Sequence, residues 1–303
     1  MSTLKTLPTA LDYNSGTGIL PEGAIRISAS GIGNFFSYTR NWWGDLLLGE
    51  KSFLSSSSSV NGTLVHFVLE QFAKHQSISE KDKTEIANYI LKHTSPEYED
   101  YNPDIDINYI ESQYKPMAEA IVNDYLQHNM PTHVEPFITH EVLPNIYCGG
   151  SIDGLILESP RYKGEPTFEN LISSTGGTIV DYKTSGVFHT SLPKPTDPMK
   201  FGYKLQLLSY AWVLRQRGIT VDRIRLVYVS KQEIGRMGKP DKKGISKPLT
   251  DYPSKVSVQT VQLTEDDFTY IEGIIHLVAE SIQYWLDHPE ARYILAQDIR
   301  LKV

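Results

Sequence analysis

Apolar runs of strand length occupy the middle of the chain. TIVDYKTS, from residue 178, is rich in β-branched residues and predicts a buried strand, as does RIRLVYVSK further on. HVEPFITHEVLPNIYCGGSIDGLILES predicts two more strands. The stretch 159–177, rich in Pro, Gly, Ser and Thr, reads as a long hairpin connection. These patterns predict a sheet between residues 133 and 231.

The segments before and after these strands have apolar residues at the spacing of helices. Residues 63–74 carry one apolar stripe, which leaves His66 and Glu70 one turn apart on the neighbouring face, whereas the serine-rich SFLSSSSSVNG before them reads as a loop. Residues 79–127 read as helix interrupted by PEYEDYNPDID, and KLQLLSYAWVLRQRG as a helix on which Gln206 and Tyr210 share a face. A capping box, Thr264 with Asp267, opens a long last helix.

The order of these elements, helices, antiparallel strands, helix, strand and helix, predicts a mixed α/β fold. We expect a polar tail over residues 1–24. A single domain with a helical insertion around 78–130 is expected over residues 25–303.

Two of the predicted strands carry an aspartate. If GGSIDGLIL and TIVDYKTS are neighbours, Asp153 and Asp181 lie side by side, and Lys183 faces the same side as Asp181. Adjacent carboxylates repel unless they share a proton or bind a divalent cation, and oxygen ligands suit Mg²⁺ or Mn²⁺. Taken singly, each motif is more often a solvated strand end or a turn. Together they predict a metal site with a lysine beside it.

The composition excludes several classes of protein. The chain has 303 residues, a formal net charge of −7 and one cysteine, Cys148, which excludes a disulfide framework or a site of several thiolates. The first two dozen residues show no apolar signal segment and no later window is long enough for a membrane span, so we expect a cytoplasmic protein without a membrane partner.

One basic stretch stands out against this acidic background. Residues 231–247 hold six Lys or Arg against two acids. Lys239, Lys242 and Lys243 are therefore candidates for contacting nucleic-acid phosphates. The alternative is an ordinary solvated loop.

Four features occur in a specific order along the chain. They are His66 in GTLVHFVLEQF, Asp153 in GGSIDG, Asp181 and Lys183 in VDYKTS, and Gln206 with Tyr210 in KLQLLSY. In this order they resemble the RecB-like branch of the PD-(D/E)XK nuclease superfamily, which includes enzymes like the mitochondrial genome maintenance exonuclease. The resemblance runs from about residue 27 to residue 230. It implies a restriction-endonuclease-like core, in which a central mixed β-sheet is flanked by helices and preceded by an N-terminal helical region.

The resemblance also implies a role for each matching residue. His66, Asp153, Asp181 and the backbone carbonyl of Tyr182 would bind one or two Mg²⁺ or Mn²⁺ ions. Lys183 would be the catalytic lysine. Gln206 and Tyr210 would contact that lysine or the nucleic-acid backbone.

Several finer expectations accompany these roles. The second acid is Asp181, where many members have Glu. Tyr38 and Thr39 stand where a cluster-binding cysteine is found in some relatives, so no iron–sulfur cluster is expected. Glu70 is a candidate to orient His66, with an ordinary solvated glutamate as the equal alternative, and Glu141 is a minor candidate to reach the metal through a water.

The resemblance therefore implies a metal-dependent deoxyribonuclease, with exonuclease action preferred over endonuclease action. Its expected setting is DNA replication, recombination or repair. The expected partners are DNA that is single-stranded or has accessible ends, and a replication or recombination protein. The alternative is a module on a nuclease fold that binds nucleic-acid ends or a protein without cleaving.

Overall fold

The computed structural model describes residues 5, 20–37, 55–158, 161–162, 171–173, 175–187, 191–235, 237, 239, 245–247, 250–288 and 290. The helices are α1 Ile32–Ser37, α2 Ser57–His75, α3 Glu80–Thr94, α4 Ile107–Asp124, α5 Phe201–Gln216 and α6 Glu265–Asp287, with a 3₁₀ turn at Leu126–His128. The strands are β1 Ile25–Ser28, β2 His133–Val134, β3 Phe137–Leu143, β4 Ile146–Ser151, β5 Gly154–Glu158, β6 Arg161–Tyr162, β7 Leu171–Ser173, β8 Gly176–Ser185, β9 Arg223–Ser230 and β10 Val256–Gln262.

The main sheet is five-stranded and mixed, in the order β10-β9-β8-β5-β2. Strands β8 and β9 are parallel, and the other pairs are antiparallel. Strands β1, β4 and β3 form a second sheet in which β1 runs parallel to β4, and β6 pairs with β7 separately. The prediction of a mixed α/β fold with a central mixed sheet flanked by helices is confirmed.

The two faces of the main sheet are covered by different helices, because side chains alternate along each strand. On one face Ile179 and Leu226 join the buried cluster that contains residues of α5 and α6. On the other face Val180 and Val229 belong to the cluster built with α2, α3 and α4. Residues at odd and even positions of β8 therefore meet different helices.

Two predictions about local structure are wrong. The segment from residue 133 to 158 forms four strands instead of two, because bends at Glu135 and Asp153 interrupt the two arms of one hairpin that reverses at Asn145. The serine-rich segment is largely helical, since α2 begins at Ser57. Ser56 accepts from the backbone N–H of Ser59, whose hydroxyl in turn accepts from the N–H of Ser56.

Most other element predictions are confirmed. Helices α3 and α4 fall on either side of the predicted loop, and Thr264 caps α6 through Asp267 as expected. Within the stretch expected to be a hairpin connection, the structure describes the short β6–β7 pair. Beyond α1, the predicted N-terminal helix lies outside the described residues, as do Tyr38 and Thr39.

Strand β8 extends beyond its partner on one side. Strand β5 pairs with it only from Gly176 to Val180, whereas β9 accompanies it to Ser185. The end of β8 that begins at Asp181 therefore has one edge without β5. Among the helices described, none has both the length and the apolar composition needed to cross a membrane.

Candidate active site

Asp153 and Asp181 meet where β5 begins. Asp153 lies in the bend just before β5, and its Oδ2 accepts a hydrogen bond from the backbone N–H of Tyr182 at 2.7 Å. This bond satisfies a β8 donor at the point where pairing with β5 has stopped. Asp181 is almost completely buried on the strand itself. The predicted juxtaposition of the two aspartates is thus present.

Lys183 and Gln206 enclose the Asp181 carboxylate. The ammonium Nζ of Lys183 lies 2.8 Å from Oδ2 of Asp181 and donates to Oδ1 at 3.0 Å. Gln206, on α5, donates from Nε2 to the same Oδ1 at 2.9 Å, while its Oε1 accepts from Lys183 at 3.3 Å. The ring of Tyr203 lies beneath the ammonium, 5.1 Å from Nζ to the ring centroid. The lysine is therefore held by an acid, an amide and an aromatic face.

His66 and Glu135 complete a cluster around Asp153. Nδ1 of His66, on α2, lies 3.5 Å from Oδ2 of Asp153. One ligand atom from each of His66, Glu135 and Asp153 falls within 4.8 Å of the others. Glu135 and Asp153 lie opposite each other in the bends of one hairpin, and His66 comes from α2, which is far from both in sequence.

Glu135 was missed by the sequence analysis, which named Glu141 as a candidate near the metal. Glu141 instead accepts from the backbone N–H of Asn145 in the β3–β4 turn, so that expectation is wrong. Glu135 lies between β2 and β3 with φ of 50°, and its backbone N–H reaches the carbonyl of Asp153 at 3.4 Å. A left-handed conformation in a non-glycine residue is uncommon and costs free energy. No periodic sequence pattern marks such a turn residue.

The pKa values of these groups reflect crowded negative charge. Burial and the charge of Asp153 raise the pKa of Asp181 to about 6, although Lys183 opposes the shift. Burial and Asp153 likewise raise the pKa of Glu135 to about 8. Burial opposes protonation of His66. The charge of Asp153 and its hydrogen bond to the imidazole outweigh burial and raise the pKa of His66 to about 9. In the protein without metal, the cluster therefore retains protons that a cation would displace.

This donor set fits a divalent cation. The carboxylates of Glu135, Asp153 and Asp181 and the imidazole of His66 line one cleft. Burial, together with the charge of Asp153, raises the pKa values of Glu135 and Asp181. Carboxylate oxygens suit Mg²⁺ and Mn²⁺, and imidazole is better tolerated by Mn²⁺.

Three other predicted residues lie close by. Tyr210 is buried on α5, and burial together with Asp153 and Asp181 raises its phenol pKa far above the ordinary value, so it remains protonated. The ring of Tyr182 packs on the opposite face of the sheet, near Tyr125 and His66, and its backbone N–H donates to Asp153. Glu70 is buried and forms an ion pair with Lys74.

These side chains line one cleft of about 450 Å³ between α2, α5 and the end of β8.

The basic stretch, residues 231–247, begins near this end of the sheet, because Ser230 pairs with Ser185 and the N–H of Lys231 donates to the carbonyl of Val187. Lys239 is exposed, whereas Lys242 and Lys243 lie outside the described residues. Their contact with phosphates stays a prediction.

Comparison with known proteins shows which family the chain belongs to. The profile of the PD-(D/E)XK nuclease superfamily matches residues 40–293. Among solved structures, a candidate exonuclease from Eubacterium rectale is 14% identical with a TM-score of 0.48, covering 85% of this chain and 80% of its own. LHK-Exo, an alkaline exonuclease from Laribacter hongkongensis, is 10% identical with a TM-score of 0.34, covering 75% and 92%. Its complex with dAMP is 11% identical with a TM-score of 0.31, covering 78% and 93%. No curated protein matches. Because the family profile spans most of the sequence, the chain belongs to the PD-(D/E)XK nuclease superfamily.

Proposed function

We propose that this protein is a Mg²⁺- or Mn²⁺-dependent deoxyribonuclease that hydrolyses DNA phosphodiester bonds, acting as an exonuclease. The observation that carries the proposal is the position of Lys183. Its ammonium lies in the same cleft as the cluster of His66, Glu135 and Asp153, and is held there by Asp181 and Gln206. A cation and a metal-binding cluster side by side suit a reaction in which negative charge develops on phosphorus oxygens.

Four side chains would hold the metal. They are His66, Asp153, Asp181 and Glu135, and we propose the carbonyl of Tyr182 as a further ligand. The bound cation would supply Lewis-acid stabilisation of the phosphate and a more acidic water. Glu135 extends the set suggested by the family resemblance and rests on its distance to His66 and Asp153.

Lys183 would act on the phosphate and on the attacking water. Hydrolysis joins a water oxygen to phosphorus, breaks a bond between phosphorus and an ester oxygen, and leaves that oxygen to take up a proton. An ammonium beside the phosphate offsets the charge that develops in this step and can orient the water. Gln206 would hold Lys183 and Asp181 in fixed positions relative to each other, because its amide is hydrogen-bonded to both. Tyr210 stays protonated and could donate a hydrogen bond to a phosphate oxygen.

The order of His66, Asp153, Asp181, Lys183 and the Gln206–Tyr210 pair supports exonuclease action on DNA that is single-stranded or has accessible ends. The same resemblance is our reason to propose a role in replication, recombination or repair, with a protein of one of those processes as a partner. We also place the nucleic acid near the exposed Lys239, on the basic stretch that leaves the sheet beside Ser185.

A cleavage assay tests this proposal. Labelled single- and double-stranded DNA, each linear and circular, is incubated with Mg²⁺, Mn²⁺ or a chelator. We expect metal-dependent loss of linear DNA with circular DNA resistant, and no cleavage by Lys183→Met. Cleavage of circles would replace exonuclease by endonuclease action. DNA binding without cleavage in either metal would favour the non-cleaving module.

A further inference from the structure

Helix α6 presents an apolar stripe to solvent. Tyr270, Leu277 and Tyr284 repeat every seven residues along it, and they are 51%, 49% and 54% exposed. Because seven residues make almost two helical turns, these side chains lie along one side of α6, over a length of about 21 Å. Single exposed apolar residues are common on protein surfaces, whereas a continuous set is typical of a binding surface. We call these three residues the α6 stripe.

The α6 stripe is separate from the core and from the cleft. A different side of the helix packs into the buried cluster through Ile271, Ile275 and Val278. His288 stacks on the ring of Tyr284, with the ring centroids 4.3 Å apart, and so holds that ring at the surface. None of the described residues of α6 lines the cleft. A protein bound to the stripe would therefore leave the candidate active site open.

Gly273 leaves a gap beside the stripe. It is exposed, and a Cβ at this position would meet nothing within 4 Å beyond the adjoining helix. Glycine inside a helix is less favourable than alanine, so neither helix propensity nor packing within the described part of the chain accounts for it. A missing side chain lets a second backbone approach closely. The gap and the seven-residue spacing of the stripe both suit packing against another helix.

A row of acids runs beside the stripe. Glu280 and Asp287 are exposed and follow Leu277 and Tyr284 by three residues, which places them on the neighbouring line of the helix. Helix α6 contains neither lysine nor arginine, and the ion pairs described for it involve only acids of its first turn. An apolar surface with a negative edge attracts a basic partner. It repels a second copy of itself, because face-to-face pairing would bring like charges together.

We propose that the α6 stripe binds an amphipathic helix of another protein, one whose apolar face is flanked by lysine or arginine. Tyr270 and Tyr284 offer large rings to the apolar face of that helix, and Gly273 admits its backbone. Glu280 and Asp287 pair with its flanking cations. This inference does not depend on the proposed nuclease function, because the surface is separate from the cleft.

Two synthetic peptides test the surface. Both carry the same leucine heptads, with lysine at the flanking positions of one and glutamate at those of the other, and fluorescence anisotropy measures their binding to the whole chain. We expect the lysine peptide to bind roughly tenfold or more tightly than the glutamate peptide, and Leu277→Gln to weaken its binding by about tenfold. Gly273→Gln should also weaken binding while raising Tm, because glutamine favours the helix and fills the gap.

Charge reversal provides the sharpest comparison. The double variant Glu280→Lys, Asp287→Lys should prefer the glutamate peptide. The matched control, Asp104→Lys with Asp124→Lys, changes the net charge equally at exposed positions before α4 and at its end, and should keep the wild-type preference. Equal effects in the two double variants would show that net charge alone governs binding, and would overturn the proposal. A wild type that binds neither peptide overturns it too.

Two further measurements distinguish other occupants of the stripe. Self-association of the wild type that disappears in Leu277→Gln, measured by analytical ultracentrifugation, would assign the stripe to a second copy of the chain. Tighter binding of the lysine peptide after Arg292, Arg300 and Lys302 are all changed to Glu would assign it to the segment that follows α6, residues 291–303, which lies outside the described residues. Either result overturns the assignment to another protein.

Discussion

Asp181→Asn should make the metal-free protein more stable. The substitution keeps the size of the side chain and removes a charge that is buried beside Asp153. Repulsion between two carboxylates is useful once a cation binds between them, but it costs free energy before that. The native structure without metal therefore contains a penalty that the variant lacks.

The magnitude follows from the shifted pKa. Burial and Asp153 raise the pKa of Asp181 from 3.8 to about 6, with the opposing effect of Lys183 included. One pH unit corresponds to roughly 1.4 kcal/mol, so the charged form costs about 3 kcal/mol of the free energy of unfolding at pH 7. Asparagine leaves Lys183 without its ion-pair partner, which removes part of the gain. We expect the variant to be more stable by about 1–2 kcal/mol, or roughly 2–3 °C in Tm for a chain of 303 residues.

The pH dependence has a definite sign. Because the native pKa lies above the unfolded one, the native state binds the proton more tightly, and wild-type stability falls as pH rises from about 4 to about 6. The advantage of Asp181→Asn should therefore be small near pH 4 and fully developed at pH 7. Saturating Mn²⁺ should reverse the order, since a ligand at a hundred times its Kd adds about 2.7 kcal/mol to the wild type alone.

Thermal unfolding followed by circular dichroism, with chelator or with Mn²⁺, measures these differences. Asp124→Asn on the exposed face of α4 is the control and should change stability by less than about 0.5 kcal/mol. A variant that is less stable than wild type at pH 7 without metal, or that gains equally from Mn²⁺, would refute the reasoning.

Three further predictions follow from the same structure. Because Asp153 raises the pKa of His66 to about 9 and a ligand must be unprotonated, metal affinity should rise with pH toward 9 and binding should release protons, which calorimetry in buffers of different ionisation enthalpy detects. Replacing Lys239, Lys242 and Lys243 by Ala should reduce the salt slope of DNA binding by about 0.9 per lost contact on duplex or about 0.7 on single strands, and an unchanged slope would make the stretch plain solvated surface. Gly149→Ala should prevent stable folding, because its φ is +144° and a Cβ would lie 2.0 Å from the carbonyl oxygen of Ile138; a soluble variant with wild-type Tm would contradict this.

Local sequence patterns predicted the parts of the site that lie on regular elements. Period-two alternation placed Asp181 and Lys183 on one face of a strand, and the structure brings both to the same cleft. Helical spacing separated His66 from the buried stripe of α2, and put Gln206 and Tyr210 on a common face of α5. These relations depend on neighbours in sequence, so the pattern alone was sufficient.

Other parts of the site depend on how distant segments meet. Glu135 meets Asp153 because a left-handed bend interrupts the strand arm opposite that aspartate, and Arg26 lines the cleft because β1 joins β4 in a second sheet. Neither a bend of this kind nor a parallel pairing over such a separation leaves a periodic signal. The start of α2 could not be predicted for another reason. Serine is common both in loops and at helix caps, so the serine-rich segment fits either structure. The reciprocal hydrogen bonds between Ser56 and Ser59 show that it caps a helix here.

The central claim is that His66 and the neighbouring acids bind a divalent cation while Lys183 acts on the reaction. Calorimetric titration with Mn²⁺, paired with a cleavage assay, separates these roles. His66→Ala should bind Mn²⁺ roughly 10–100-fold more weakly, since even outer partners of metal ligands contribute that much, and excess Mn²⁺ should restore part of its activity. Lys183→Ala should bind Mn²⁺ at least as well as the wild type and remain inactive at every metal concentration. Equal Mn²⁺ affinity in His66→Ala and the wild type would contradict the account, because the histidine would then not be a ligand.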